Sequence, residues 1–330
     1  MAYREVSSRP TVVVTARSFG SGDADPASLL EEAGLEVVRA DPVHDLGALV
    51  DPLSEAVAWI AGTSPVADTH LSAAPSLRVL AHNGIGYDSV DLAAAARRSV
   101  IVTNTPGANV EAVADHTVGL VLAVLRHFVE GNRAARNGSH PTLRGYELGA
   151  PTVGVVGFGR IGRAVALRLS GGFGSRVVAY DPFIPPELIR ETPGVEVAAD
   201  LRELASLADV LSLHMPGGAG PIVDADLVEV MKPGAVLVNT ARGDLLDEEQ
   251  VAATLHDGRL GAAAVDVLAS EPAFASPLLD APNTLVTPHV AAQTTEAIDR
   301  MGLWAAQEVI RVLGGESPLY PVPLARGQEV

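Results

Sequence analysis

Arg242, Glu271 and His289 are three residues whose types suit one reaction. Reducing a ketone needs a proton donor to the oxygen as hydride reaches the carbon. Histidine is the usual donor near neutral pH, and a carboxylate beside it orients the ring and favours its charged form. An arginine clamps a substrate carboxylate through two parallel hydrogen bonds. Each residue stands just past an apolar, β-rich run: Val236-Leu-Val-Asn-Thr-Ala-Arg242-Gly243, Ala264-Val-Asp266-Val-Leu-Ala-Ser-Glu271-Pro272 and Val286-Thr-Pro-His289. Open α/β sheets bind ligands there, outside the carboxyl ends of their strands. Taken singly, each residue also reads as ordinary: a surface arginine, a solvated acid, a turn histidine. The chain holds nine histidines, and only a structure tells whether Glu271 and His289 touch.

A second constellation supplies a partner for that chemistry. Thr152-Val-Gly-Val-Val156 reads as a buried strand running into Gly157-Phe-Gly-Arg-Ile-Gly162 and then a helix. This is G-x-G-x-x-G in the strand–turn–helix context that seats a pyrophosphate on a helix N-terminus. Gly157, Gly159 and Gly162 serve the turn, the close backbone approach and the helix packing. The next strand ends in Asp181, near the spacing of about 20 residues expected for the acid that holds the adenosine ribose. Pro182 and Phe183 follow, with no arginine to meet a 2′-phosphate, which predicts NAD over its phosphorylated form. The alternative is an ordinary tight turn with Asp181 capping a loop.

The elements that position these residues alternate. Strands are expected at Thr11–Thr15, Val57–Ala61, Leu77–Ala81, Val100–Thr103, Thr152–Val156, Arg176–Tyr180, Val210–Leu213, Ala235–Asn239, Gly261–Val265 and Thr284–Val286. Helical runs lie between them, including Val90–Arg98, Ile161–Leu169, Leu201–Ala208 and Glu248–His256, so the pattern is βαβ with parallel sheets. One long apolar helix is expected from about Val110 to Arg136, and a final helix from about Thr294 to Leu313 that runs back to the first domain.

Composition removes other classes. Of 330 residues, 48% are hydrophobic and 19% charged, which argues against disorder. The formal charge of −17 repels phosphate backbones and anionic lipid, so neither nucleic acid nor membrane is an expected partner. With no cysteine, disulfides and thiolate chemistry are excluded. The opening Met-Ala-Tyr-Arg-Glu has no apolar run behind it, and no segment reaches the length of a bilayer span, so a cytoplasmic protein is expected. Only a short tail follows the last helical run, so an added regulatory domain is not expected.

The motifs together resemble the D-isomer-specific 2-hydroxyacid dehydrogenase family. Gly157–Gly162, Asn239-Thr-Ala-Arg-Gly243, Asp266 with Glu271-Pro272, and Thr287-Pro-His289 carry the resemblance. So do Asn83-Gly-Ile-Gly-Tyr-Asp-Ser-Val-Asp91, Asn104-Thr-Pro-Gly107 and Val113-Ala-Asp-His-Thr117. The resemblance implies an α/β fold of two Rossmann-like domains with parallel sheets, the nucleotide domain inserted into a discontinuous substrate domain. Residues 1–103 plus 291–330 would form the substrate domain and 104–290 the NAD-binding domain. It implies catalytic Arg242, Glu271 and His289, with His289 as acid–base. Cofactor contacts would come from Gly157, Gly159, Arg160, Ile161, Gly162, Asp181, His214, Pro216, Thr240, Ala241, Arg242, Asp266 and His289. Gly84, Ile85 and Gly86 would hold the substrate carboxylate with Arg242. No metal is implied, and a homodimer is. Phosphoglycerate dehydrogenase and a non-catalytic, NAD(H)-sensing corepressor-like protein are the alternatives. The loop Gly62-Thr-Ser-Pro-Val66 contains no Lys or Arg and Asn83 is neutral, so a small unphosphorylated 2-oxo acid is expected, with Arg78 and His82 the cations that would overturn this.

Overall fold

The computed structural model describes residues 9–271 and 275–323; Pro272 and the two ends of the expected substrate domain lie outside them. The elements in chain order are β1 (Thr11–Val14), α1 (Pro26–Glu32), β2 (Glu36–Arg39), α2 (Leu46–Ser54), β3 (Ala56–Ala61), α3 (Asp68–Ser72), β4 (Val79–His82), α4 (Leu92–Arg97), β5 (Ile101–Thr103), α5 (Val110–Leu125) and α6 (Phe128–Arg136). They continue as β6 (Thr152–Val156), α7 (Arg160–Phe173), β7 (Arg176–Tyr180), α8 (Pro186–Arg190), β8 (Val195–Val197), α9 (Leu201–Leu207) and β9 (Val210–Leu213). The last are α10 (Ala225–Val230), β10 (Ala235–Asn239), α11 (Glu248–His256), β11 (Leu260–Val265), β12 (Thr284–Val286) and α12 (Thr295–Leu313). Among the described residues six helices begin at an aspartate, Asp25, Asp45, Asp91, Asp200, Asp224 and Asp247, whose carboxylate accepts a first-turn N–H. Part of the acidic excess is therefore spent on starting helices.

Two compact units form. Unit 1 is Met1–Asn109 with Gln293–Val330, and unit 2 is Val110–Ala292. The first crossing comes after the Asn104–Asn109 turn because that turn is tied into unit 1. Asn104 N–H donates to the Tyr320 carbonyl (3.3 Å) and Thr105 N–H to that of Gly84 (3.0 Å), while Arg300 Nε donates to the Ala108 carbonyl (2.7 Å).

Unit 1 is a five-stranded parallel sheet in the order β2-β1-β3-β4-β5. Val12, Val14, Ile60 and Val79 face Ala305, Ala306 and Val309 of α12, and Val13, Trp59 and Leu80 face Leu49, Leu53 and Leu71. Both faces are covered, so the strands read as continuous apolar runs. Unit 2 is a seven-stranded parallel sheet, β12-β11-β10-β9-β6-β7-β8. Strand order reverses between β6 and β9, the switch point at which such sheets bind nucleotides.

Three departures from the sequence reading have local causes. The single helix expected from Val110 to Arg136 is two helices, bent by 59°. The break is His127, in the left-handed region at φ 52°, whose Nε2 donates to the Arg144 carbonyl (3.0 Å). Buried residues line α5 and none occurs in α6, so the two segments answer to different surroundings. Strands β2 and β8 were not expected. Both are edge strands that carry charge, Glu36 and Arg39 in one and Glu196 in the other, as edges that avoid further pairing do. Among the described residues no single helix is long and apolar enough to cross a membrane.

A buried polar cluster braces the loops after β1 and β3. His44 Nδ1–H donates to the Pro65 carbonyl (2.9 Å), so its Nε2 accepts from the Thr15 hydroxyl (2.7 Å). Trp59 Nε1–H donates to the same hydroxyl oxygen (2.9 Å), and His70 Nε2–H to the His44 carbonyl (3.0 Å). This arrangement needs a neutral His44, and burial pulls its pKa below 6.5 despite the Pro65 hydrogen bond. A depressed histidine stabilises the fold fully above its unfolded value, and that contribution is lost as pH falls toward the folded one. His44→Asn, which tolerates the left-handed backbone (φ 63°), is expected to lower the thermal midpoint most at about pH 7.5, with the deficit shrinking by about pH 5. A deficit equal at both pH values would contradict the neutral-histidine account.

Candidate active site

Every unit 2 residue expected to touch cofactor or substrate follows the carboxyl end of a strand of one sheet. The Gly157 loop follows β6, Asp181 β7, His214 and Pro216 β9, Thr240 to Arg242 β10, Asp266 and Glu271 β11, and His289 β12. All strands are parallel, so these loops share one edge.

The glycine loop is built for close approach. Gly157 has φ 87°, and a Cβ on Gly162 would lie 2.1 Å from the Gly157 carbonyl oxygen. Helix α7 starts at Gly159 with no side-chain cap and no acid in its first turn, and Arg160 is exposed. The first-turn N–H groups and the helix dipole are thus presented at an open face, since a Cβ on Gly159 would meet nothing within 4 Å. Asp181 Oδ2 accepts from Phe158 N–H (2.7 Å) and Oδ1 from Phe183 N–H (2.8 Å). That fixes the carboxylate beside the loop with lone pairs left for a diol. His214 Nε2 contacts the Ser212 hydroxyl (2.8 Å), and packing pushes its pKa down to about 3, so the ring is neutral. Ile161 is half-buried and Pro216 exposed. The donor set fits a dinucleotide: an uncapped helix start over an open glycine, and a fixed acid on the next strand.

The second group of loops brings the acid, the histidine and the arginine loop together. His289 Nδ1 lies 2.8 Å from Glu271 Oε2. This hydrogen bond raises the His289 pKa above 6.5 against the opposing effect of burial; Glu271 and Asp266 charges add to it and Arg242 counters it. Burial works against the Glu271 charge, yet the His289 contact holds its pKa below the usual carboxylate range. Asn239, fully buried, brackets the arginine loop: its Nδ2 donates to the Arg242 carbonyl (2.7 Å) and its Oδ1 accepts from Ala241 N–H (3.0 Å). A Cβ on Gly243 would lie 2.0 Å from the Leu268 carbonyl carbon, so only glycine lets this loop pack on the one leading to Glu271.

In unit 1 the Gly84–Gly86 loop is held by two hydrogen bonds. The Gly84 carbonyl accepts from Thr105 N–H (3.0 Å) and the Ile85 carbonyl from Asn104 Nδ2 (2.7 Å). In a planar trans peptide the following N–H points the opposite way. The N–H groups of Ile85 and Gly86 are thereby aimed together, away from Asn104 and Thr105. Sequence reading missed the bracketing roles of Asn239 and Asn104, whose only signal was an asparagine at the end of an apolar run. It also missed Arg17, exposed in the loop after β1.

Comparison with known proteins agrees with this geometry. Residues 118–291 match the family profile described as D-isomer specific 2-hydroxyacid dehydrogenase, NAD binding domain. The D-3-phosphoglycerate dehydrogenase of Mycobacterium leprae is 38% identical over 82% of this chain and 52% of its own. The chain spans about half the length of the curated phosphoglycerate dehydrogenases it matches. The glyoxylate reductase of Thermococcus litoralis is 34% identical, over 82% of this chain and 85% of that one. Among solved structures, the TT0316 protein of Thermus thermophilus has a TM-score of 0.85 at 36% identity, covering 95% of this chain and 100% of that one. The chain belongs to the D-isomer-specific 2-hydroxyacid dehydrogenase family, and its matched domain is the one that binds NAD.

The open face over Gly159 separates folding from binding. Gly159→Ala is expected to keep the wild-type melting temperature and to weaken NADH, followed by fluorescence titration, at least about tenfold, or 1.4 kcal/mol. Gly162→Ala, whose methyl has no room, is expected to lower the melting temperature. Unchanged NADH affinity in Gly159→Ala would contradict the placement of the pyrophosphate.

Proposed function

We propose that this protein is an NAD-dependent dehydrogenase interconverting a D-2-hydroxy acid and a 2-oxo acid, and that its substrate is small and unphosphorylated. The observation that carries the reading is the 2.8 Å contact of His289 Nδ1 with Glu271, on the same sheet edge as the dinucleotide loop. With Nδ1 committed to Glu271, Nε2 is the nitrogen that gives a proton to the carbonyl oxygen in reduction and takes it from the hydroxyl in oxidation. Glu271 holds the ring in place and steadies its charged form. Arg242, whose charge opposes that of His289, keeps the histidine from holding its proton too tightly, and its guanidinium suits a substrate carboxylate. NAD, when bound, supplies or accepts the hydride. Gly157, Gly159, Arg160, Ile161, Gly162, Asp181, His214, Pro216, Thr240, Ala241, Arg242, Asp266 and His289 are the residues proposed to hold it. Unit 1 is proposed as the substrate domain, with the Ile85 and Gly86 N–H groups as a carboxylate site; the Gly84 N–H donates to the His82 carbonyl (2.9 Å) and so shapes the loop instead.

The preference for an unphosphorylated acid rests on where the cations of unit 1 are. Arg78 precedes β4, at the opposite end of that strand from Gly84, and donates to the Val312 and Leu313 carbonyls at the end of α12 (3.3 Å each). His82 is buried. Asn83 Nδ2 donates to the Ser18 hydroxyl (3.2 Å). Loop 62–66 holds no Lys or Arg. A dianion desolvated there lacks a built partner. A homodimer is part of the proposal, supported by apolar side chains that unit 2 leaves exposed, Phe128 (56%) and Tyr146 (66%) among them. So is a cytoplasmic setting, where nicotinamide nucleotides are available.

The test compares kcat/KM for hydroxypyruvate and phosphohydroxypyruvate in one buffer, by NADH absorbance. Hydroxypyruvate is expected to lead, and His289→Gln to lose about 10²–10⁴-fold in kcat. A lead for the phosphorylated acid would overturn the substrate reading and make Arg17 the first residue to change.

A further inference from the structure

The Val113-Ala-Asp-His-Thr117 motif lies on α5 and has no part in the mechanism above. Its last two residues nonetheless reach both catalytic loops. Thr287 Oγ1–H donates to Asp266 Oδ1 (2.6 Å), which spends its one hydrogen. The contact of His116 Nε2 with Thr287 Oγ1 (3.1 Å) therefore runs from an Nε2–H donor to the hydroxyl oxygen, and the same nitrogen is 3.4 Å from Asp266 Oδ1. Asp266, 1% exposed, accepts in turn from Val290 N–H and Ala291 N–H (2.9 Å each), and its carbonyl accepts from His289 N–H (2.8 Å). His289 sits at φ 53°, a conformation that a residue with a side chain keeps only when its surroundings over-determine it. The neighbouring Thr117, fully buried, donates its hydroxyl to the Val113 carbonyl (2.7 Å) and so accepts from the Thr240 hydroxyl (2.8 Å), two residues before Arg242. Consecutive helix positions diverge by about 100°, which lets one helical step reach two loops.

We propose that His116 and Thr117 are positioning residues: His116, through Thr287 and Asp266, holds the left-handed His289 against Glu271, while Thr117, through Thr240, holds the Arg242 loop. What they position rests on the dehydrogenase reading; that they position it rests on the hydrogen bonds. The groups that face His289 are Glu271, Asp266 and Arg242. The acids of α5, Glu111 and Asp115, are engaged by Arg168 of α7.

The test uses the full chain and two readouts, the His289 Cε1–H titration by NMR without substrate, assigned by its loss in His289→Gln, and steady-state kinetics. His116→Leu removes the donor. Its His289 is expected to titrate lower than in wild type as the Glu271 contact loosens, and kcat to fall about ten- to a hundredfold, the effect of a misplaced catalytic group. His116→Gln, which restores an N–H donor at similar reach, is expected to recover both. Should His116→Leu fail to fold, Thr287→Val interrupts the same relay at nearly constant volume and is expected to give the same two changes. A wild-type titration in a folded His116→Leu or Thr287→Val, or equal losses in His116→Leu and His116→Gln, would overturn the proposal. A lowered His289 titration in an enzyme that turns over no 2-oxo acid would support the positioning role and count against the dehydrogenase reading alone.

Discussion

The buried carboxylate of Asp266 is the constraint on which the site depends. A left-handed non-glycine residue costs about 1–3 kcal/mol, and His289 adopts that conformation. Against this stand the Thr287 hydroxyl and the Val290 and Ala291 N–H groups, all donating to one carboxylate. Hydrogen bonds to a charged group contribute about 1.5–3 kcal/mol each, the same scale as the strain they oppose. Burial opposes the Asp266 charge, but these donors and His116 hold its pKa below the usual range. It therefore remains an acceptor across the working pH range, and His289 remains aimed at Glu271.

The rest of unit 2 follows from parallel strands. Every strand delivers its following loop to the same edge, and the reversal of strand order between β6 and β9 opens room there for a nucleotide. Residues from six strands, far apart in sequence, need no other device to converge. The dinucleotide loop and the Glu271–His289 pair are thus placed by the same sheet, while the finer geometry comes from short polar tethers such as Asn239 and Thr117.

Much of this was legible in the sequence because the decisive signals are local. Gly157–Gly162 between an apolar run and a helix, and Asp181 at the end of the next run, need only neighbouring residues to be read. The strands of both sheet centres were legible for the same reason, since burial on both faces leaves apolar runs such as Ala235-Val-Leu-Val. The edge strands β2 and β8 were not, because half-covered charged segments look like loops. Nor was the break at His127: the apolar pattern of α5 carries no mark of where its covering ends. The Glu271–His289 contact spans 18 positions in sequence and the His116–Thr287 contact 171. Residue types alone proposed the first, and nothing in the spacing pointed to the second.

The central claim is that His289, charged by Glu271, is the proton donor of a reversible reduction. The most direct measurement is kcat/KM against pH in both directions, for wild type and Glu271→Gln. Reduction needs protonated His289 and is expected to fall as pH rises through its raised pKa, while oxidation needs the neutral ring and is expected to fall as pH drops through it. In Glu271→Gln the partner charge is gone, and both limbs are expected to move to lower pH. Limbs that stay where they were in wild type would contradict the account.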